Sequence, residues 1–378
     1  LYQNIFCFHI IYCKNFKEGD DLITVSLCMI VKNEEDSIAR CLESVKDIAD
    51  EMIIVDTGSN DKTKEIAGRY TSKIYDFEWV DDFSAARNFS FSNATKDYIL
   101  WLDADDVILP EDIEKLKTLK ETLDPSVDSV TAKYNIGFDE YGNITASYRR
   151  NRLVKRTNNF KWYGFVHEYL AVGGNIFNSE IGITHKKIKH TPKRNLEIYQ
   201  GKLEQGAEFT PRDILYYGNE LYDHKLYDKA LEYYDKFLDS KQGWFEDNIR
   251  VCGKLCDYFQ SIDKVEKARK YAFRSFEYDT PRAEACCKIG FSFLHEKKYK
   301  QAAFWYEEAT KLEKPKDSWG FFNDACWTWL PHLQLCVCYD KLGNYKLAYE
   351  HNEIASQFRP NDERILYNKK YFEKLGFS

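Results

Sequence analysis

Short apolar runs that break off into polar residues punctuate the first half of the chain. Residues 23–31 (ITVSLCMIV), 51–55 (EMIIV) and 98–102 (YILWL) have this form, with a weaker run at 73–77. Runs of this length without alternation are the pattern of strands buried on both faces, as in a parallel sheet. Helical spacing fills the intervals. Ile38, Leu42, Val45 and Ile48 recur on one face behind Asp36 and Ser37, which can cap the helix. A short helix to Tyr70 follows TGSNDKT, where Gly58 suits a turn and Asn60 or Asp61 a cap, and residues 82–93 read as a third helix. Strand alternating with helix predicts an α/β domain with a mostly parallel sheet. Beyond it, residues 127–150 alternate polar and apolar positions on either side of an EYGN turn at 140–143, giving two further strands.

From residue 211 the period changes. Small and aromatic residues recur as Gly218, Tyr227, Ala230, Tyr233–Tyr234; then Ala268, Tyr271; then Gly290, Tyr299, Ala302, Tyr306; then Gly343, Tyr345, Ala348, Tyr349 and Pro360. A spacing near 34 with small residues at helix contacts resembles tetratricopeptide (TPR) repeats, degenerate in the second unit and interrupted at 315–328. The chain thus divides into an N-terminal extension (1–22), an α/β domain (23–190), a linker (191–210) and an all-α repeat domain (211–378). Its 378 residues exceed one ordinary core, in line with that division.

The bulk properties mainly exclude. A formal charge of -7 leaves no electrostatic footprint for nucleic acid. The 11 cysteines lack framework spacing; Cys252/Cys256 and Cys336/Cys338 could be metal pairs, but no second pair of CxxC type sits nearby, and they read as core thiols of a reduced, cytoplasmic protein. The apolar run within residues 1–22 is too short to span a membrane and lacks signal-peptide features. The sequence shows neither GxGxxG nor GxxxxGK[ST], so the dinucleotide and P-loop fingerprints are unsupported.

The chemistry gathers at the strand ends. In open α/β sheets ligands bind beyond the carboxyl ends of the strands. There this chain has Lys32 to Glu34, Asp56 to Ser59, and Asp103 to Asp106. Clustered carboxylates lose hydration and repel, which an oxygen-ligated divalent cation relieves; the alternative is an acidic turn capping the helix after Pro110.

MIVKNEE, IVDTGSNDKT, DFSAARN and LWLDADD, in this order, resemble the nucleotide-sugar-binding half of family 2 glycosyltransferases with the GT-A (Rossmann-like) fold. The resemblance covers residues 24 to about 190 and implies a metal-dependent, inverting hexosyl transfer from a UDP-sugar, with Mn2+ or Mg2+ as cofactor. It assigns Val31, Asn33, Glu34, Asp56, Gly58, Ser59, Arg87, Asp103 and Ala104 to the nucleotide-sugar, and Asp105, Asp103 and His185 to the metal. Asp56 would face uracil or ribose, and Arg87 the base or phosphates unless it only forms an ion pair. Val166-His167-Glu168 resembles the catalytic carboxylate motif; the family often has Glu-Asp where this chain has His-Glu, so either Glu168 or His167 is the base. Trp162 and Tyr163 would stack on sugar or acceptor, or pack in the core. With the repeats, the chain resembles bacterial protein and peptide glycosyltransferases, including those that glycosylate bacteriocin cysteines. The acceptor would then be a Ser, Thr or Cys side chain on a peptide or protein held by the repeat domain. Homodimerisation, an enzyme of cell-surface glycan assembly, or a TPR scaffold with a degenerate transferase domain are the alternatives.

Overall fold

A computed structural model describes residues 22–138, 144–186, 193–315 and 322–377. Residues 1–21 of the N-terminal extension, with Cys7 and Cys13, the EYGN turn and Thr191–Pro192 lie outside them. The chain forms two compact units, residues 1–208 and 209–378.

The first unit is built on an eight-stranded mixed sheet. Its elements are β1 (Val25–Val31), α1 (Ile38–Val45), β2 (Glu51–Asp56), α2 (Thr63–Ala67), β3 (Ile74–Asp76), α3 (Phe83–Ser92), β4 (Tyr98–Trp101), β5 (Asp106–Val107), α4 (Pro110–Thr122), β6 (Ser129–Phe138), β7 (Ile144–Lys155), β8 (Lys161–Tyr163), β9 (Tyr169–Ala171), β10 (Ile176–His185) and α5 (Arg194–Glu204). The strand order is β3-β2-β1-β4-β7-β6-β10-β5, with β8 and β9 forming a separate ribbon. Strands β3, β2, β1 and β4 are parallel, whereas β7 runs antiparallel to both β4 and β6. The sheet is therefore mixed, because the 127–150 hairpin inserts beside β4. The two-residue β5 leaves the end of β4 and pairs with β10 at the far edge, so the sheet curls.

The apolar runs are buried as their composition dictates: every residue of β2 and β4 is buried, and β1 has one half-buried position. Helix α1 turns Ile38, Cys41, Leu42 and Val45 onto the sheet, and each such aliphatic burial stabilises by roughly 1.5–3 kcal/mol. Ser37 stands at its N-cap, yet its hydroxyl donates to Glu34 rather than accepting a helix N–H. The stretch expected as a linker instead carries α5, because Leu196, Ile198 and Tyr199 at helical spacing bury against the first unit.

The second unit is all helical: α6 (Pro211–Asp223), α7 (Tyr227–Ser240), α8 (Phe245–Ser261), α9 (Val265–Arg274), α10 (Ala283–His295), α11 (Tyr299–Lys311), α12 (Trp329–Lys341), α13 (Tyr345–Phe358) and α14 (Glu363–Lys374). These stack as helix pairs, α6 with α7 through α12 with α13, each pair one repeat. Ala230, Ala268, Ala302 and Ala348 are fully buried. A Cβ on Gly218 would lie 3.0 Å from the Tyr234 ring, and one on Gly290 3.0 Å from the Tyr306 ring. In the first and third repeats the recurring glycine and tyrosine are thus the two sides of one contact. The other two lack it: in the second Tyr271 stacks on Phe259 at 5.6 Å, and in the fourth Gly343 serves a turn, with φ of 76° and open space at its Cβ position.

Candidate active site

The crevice lies beyond the carboxyl ends of β1, β2 and β4. After β1 the chain turns through Asn33, whose φ of 56° is left-handed, a conformation asparagine tolerates better than most residues. The Asn33 amide donates to Ser59 Oγ at 2.9 Å, and Asn33 Oδ1 accepts from the Asn60 amide at 2.9 Å, stitching the first two strand ends together. Glu34 accepts the Ser37 hydroxyl, and its amide donates to Thr63 Oγ1, so it braces α1 and α2. Val31 is buried and pairs with Asp56.

Asp56, at the end of β2, is 2% exposed. Its Oδ1 accepts the amides of Gly58 and Ser59 at 2.9 and 2.8 Å, which orients the carboxylate, and Gly58 supplies the φ of 100° that the turn requires. Its Oδ2 is buried with no partner, an arrangement that costs free energy unless a ligand N–H or O–H meets it. Beside this turn is a cavity of about 250 Å³ lined by Lys32, Thr57, Trp79, Phe83 and Arg194.

The LDADD segment divides its carboxylates among different partners. Asp103 accepts from Arg87 Nη2 at 2.6 Å, and Arg87 Nε donates to Glu168 Oε1 at 2.7 Å. Arg87 is buried and lies between the rings of Trp101 and Trp162, 5.0 and 4.8 Å from their centroids. It is neither a surface nor an intrahelical ion pair. Burial pushes the Asp103 carboxyl up, but the guanidinium groups of Arg87, Arg152 and Arg150 outweigh this and hold it well below the usual carboxylate range. Ala104 is buried in the core under the turn.

Asp105, Asp106 and His185 form the cluster able to hold a metal ion, their ligand atoms within 4.8 Å of one another. His185 Nδ1 is 3.4 Å from Asp105 Oδ1 and 3.4 Å from Asp106 Oδ1, and 2.8 Å from the Tyr134 hydroxyl. Its bonds to Asp105 and Asp106 push the imidazole up to about 9, so in the absence of a metal a proton supplies the cation these carboxylates call for. Two oxygen donors and one nitrogen suit a divalent cation, with further positions left for a ligand's oxygens. Asp103, expected among the ligands, is turned to Arg87 instead. Asp106, which the resemblance did not assign to the metal, joins the cluster and also braces the turn: its Oδ2 accepts from the Asp103 amide at 3.1 Å and from buried Arg152 at 2.9 Å. Sequence reading missed Arg152 and Tyr134; the basic YRRNR stretch in a strand was the available signal.

On the far side of Arg87, His167 and Glu168 follow a tight turn that begins at Gly164, with φ of 101°, and includes His167 at φ 51°. Both are half-buried. Trp162 is buried against Trp101 at 4.7 Å, so it packs in the core, whereas Tyr163 is exposed beside Tyr169.

Residues 26–180 match the family model described as glycosyl transferase family 2. Over these residues, within the N-terminal unit, the chain is similar to family 2 glycosyltransferases. Among curated relatives, glycosyltransferase SunS of Bacillus phage SPbeta is 28% identical over 268 residues, covering 65% of this chain and 62% of that protein, and its prophage-derived counterpart in Bacillus subtilis matches equally. A TPR repeat-containing protein of Synechococcus elongatus is 48% identical over 100 residues, 26% of this chain and 25% of that protein. The chain therefore spans a quarter to just under two thirds of these relatives. Similar solved structures include YrrB, a TPR protein with an unusual peptide-binding site, with 19% identity, a TM-score of 0.37 and 47% and 84% of the two chains covered. Glucosyl-3-phosphoglycerate synthase of Mycobacterium tuberculosis, solved with Mn2+, UDP and phosphoglyceric acid, gives 20% identity, a TM-score of 0.26 and coverage of 30% and 43%.

Proposed function

We propose that this protein transfers a hexose from a UDP-sugar to a Ser, Thr or Cys side chain of a peptide or protein, with inversion and with a divalent cation. The observation that carries the reading is the buried, unpartnered Oδ2 of Asp56 in one crevice with the Asp105, Asp106 and His185 cluster. One end offers a fixed acceptor to a base or ribose, the other a seat for a diphosphate-bound cation.

In this reading Asp56 receives a donor N–H or O–H, and the turns at Asn33 and Gly58–Ser59 admit the nucleoside. Asp105, Asp106 and His185 would hold Mn2+ or Mg2+, and the chemistry such an ion would supply is charge stabilisation of a diphosphate leaving group. Arg87 fixes the carboxylates of Asp103 and Glu168 in place. Glu168 then takes the proton from the attacking hydroxyl or thiol, with His167 as the other candidate. Inversion needs one base and one displacement. The helical unit binds the acceptor peptide; stacked helix pairs form an extended surface suited to one.

The test is UDP release from a panel of UDP-sugars in the presence of manganese and candidate peptides, with Asp105→Ala beside the native chain. Loss of release in the variant is expected; full retention would remove the metal assignment. Release by neither protein, with no metal-dependent UDP binding, would favour a scaffold.

A further inference from the structure

Strand β7 carries three arginines within four residues, and two have acidic partners. Arg149 pairs with Glu180 at 2.6 Å. Arg152 is buried and pairs with Asp106 at 2.9 Å. Arg150, which lies against the same Trp101 and Tyr134 rings as Arg152, has no carboxylate or hydrogen-bond partner among the described residues. What holds it is aromatic: its guanidinium carbon lies 5.2 Å from the Tyr134 ring centroid, 5.5 Å from Trp101 and 5.7 Å from Tyr148.

Rings meet the faces of a planar cation and leave its in-plane N–H donors unsatisfied. The group is thus oriented without being neutralised. Its place is informative as well. Arg150 shares the Trp101 ring with Arg87, whose guanidinium carbon lies 5.0 Å from the same centroid, and Arg87 holds Asp103. Arg150 is near enough to help lower the Asp103 carboxyl. The neighbouring acids are already matched, Asp103 by Arg87 and Asp106 by Arg152. The anion that Arg150 lacks must therefore come from outside the described chain.

We propose that Arg150 binds a phosphate oxygen of the donor's diphosphate, a site that rests on the nucleotide-sugar reading above and adds to it a protein-borne cation on the leaving group. A guanidinium fork matches two phosphate oxygens, and caging by three rings limits the side-chain freedom lost on binding. Arg150 is half-buried, so a ligand can reach it, as it cannot reach Arg152.

The experiment titrates UDP and, separately, uridine into the full chain with manganese present, for the native protein, Arg150→Gln and Arg150→Lys. Arg150→Gln should weaken UDP about ten- to a hundred-fold while uridine affinity stays within about two-fold, since charge-assisted hydrogen bonds are the stronger class. Arg150→Lys keeps the charge but not the fork, and should fall between. Unchanged UDP affinity in Arg150→Gln overturns the assignment and leaves the donor reading standing. Equal loss of UDP and uridine also overturns it, because the residue then shapes the crevice as a whole. A native chain that binds neither UDP nor any other nucleoside diphosphate overturns the donor reading, and this site with it.

Discussion

Arg87 and Glu168, 81 residues apart in sequence, are joined by an N–H···O bond of 2.7 Å, and the same guanidinium reaches Asp103 at 2.6 Å. One buried cation therefore ties the donor-side aspartate to the proposed base. Arg87→Met should strand two half-buried carboxylates, destabilising the first unit by roughly 2–5 kcal/mol and abolishing transfer. Arg87→Lys should retain more stability than activity, because a point charge cannot hold two carboxylates in a planar fork. Urea denaturation and UDP release, measured on the same samples, check both.

The choice of base is open to a kinetic test. Glu168→Gln is expected to lower kcat by about 10²–10⁴ with UDP affinity unchanged, while His167→Asn costs far less. The reverse order would assign the base to His167.

A pH effect is expected in the helical unit. His332 Nδ1 lies 2.9 Å from His351 Nδ1. Burial and the neighbouring imidazole hold His332 down to about 4, and burial also lowers His351. An unfolded histidine titrates near 6.5, so between about 6.5 and 4 the unfolded chain binds more protons. Stability is therefore complete above that window and falls as pH falls through it, by on the order of 1–3 kcal/mol. Urea midpoints at pH 7 and pH 4.5 should show the drop, and His332→Asn should reduce it.

Helix contacts in the repeats give a prediction that needs no ligand. Gly290→Val places carbon against the Tyr306 ring, where even a Cβ would sit at 3.0 Å, and should cost about 1–3 kcal/mol. Gly253→Ala, whose Cβ would meet only the Lys288 side chain at 3.8 Å, should be neutral or gain up to about 1 kcal/mol from helix propensity. Thermal melts distinguish the two.

Much of this was legible in the sequence because local pattern dictated it. β2 and β4 are buried on both faces as unbroken apolar runs require, and the alanine–tyrosine period located the helix pairs. What escaped was long-range. No local signal shows that β7 would insert beside β4, and with it came Arg150 and Arg152, the two cations facing LDADD. The same topology redistributed the carboxylates: in sequence Asp103 and Asp105 look like a pair, but Arg87 takes one and His185 the other. Helix α5 was missed because its charged residues outnumber the three that bury.

The pairing of β5 with β10 places Asp106 directly across from His185. Their separation is thus set by ladder geometry rather than by a loop's preferences, and the cluster is assembled before any ligand arrives. The same register makes it vulnerable. β5 has two residues, so fraying of this edge should separate the imidazole from the aspartate in the same event. Amide exchange at Val107 and Thr184 would then slow together on metal binding, and the free energy of opening that edge would set a ceiling on how firmly the empty site is preorganised.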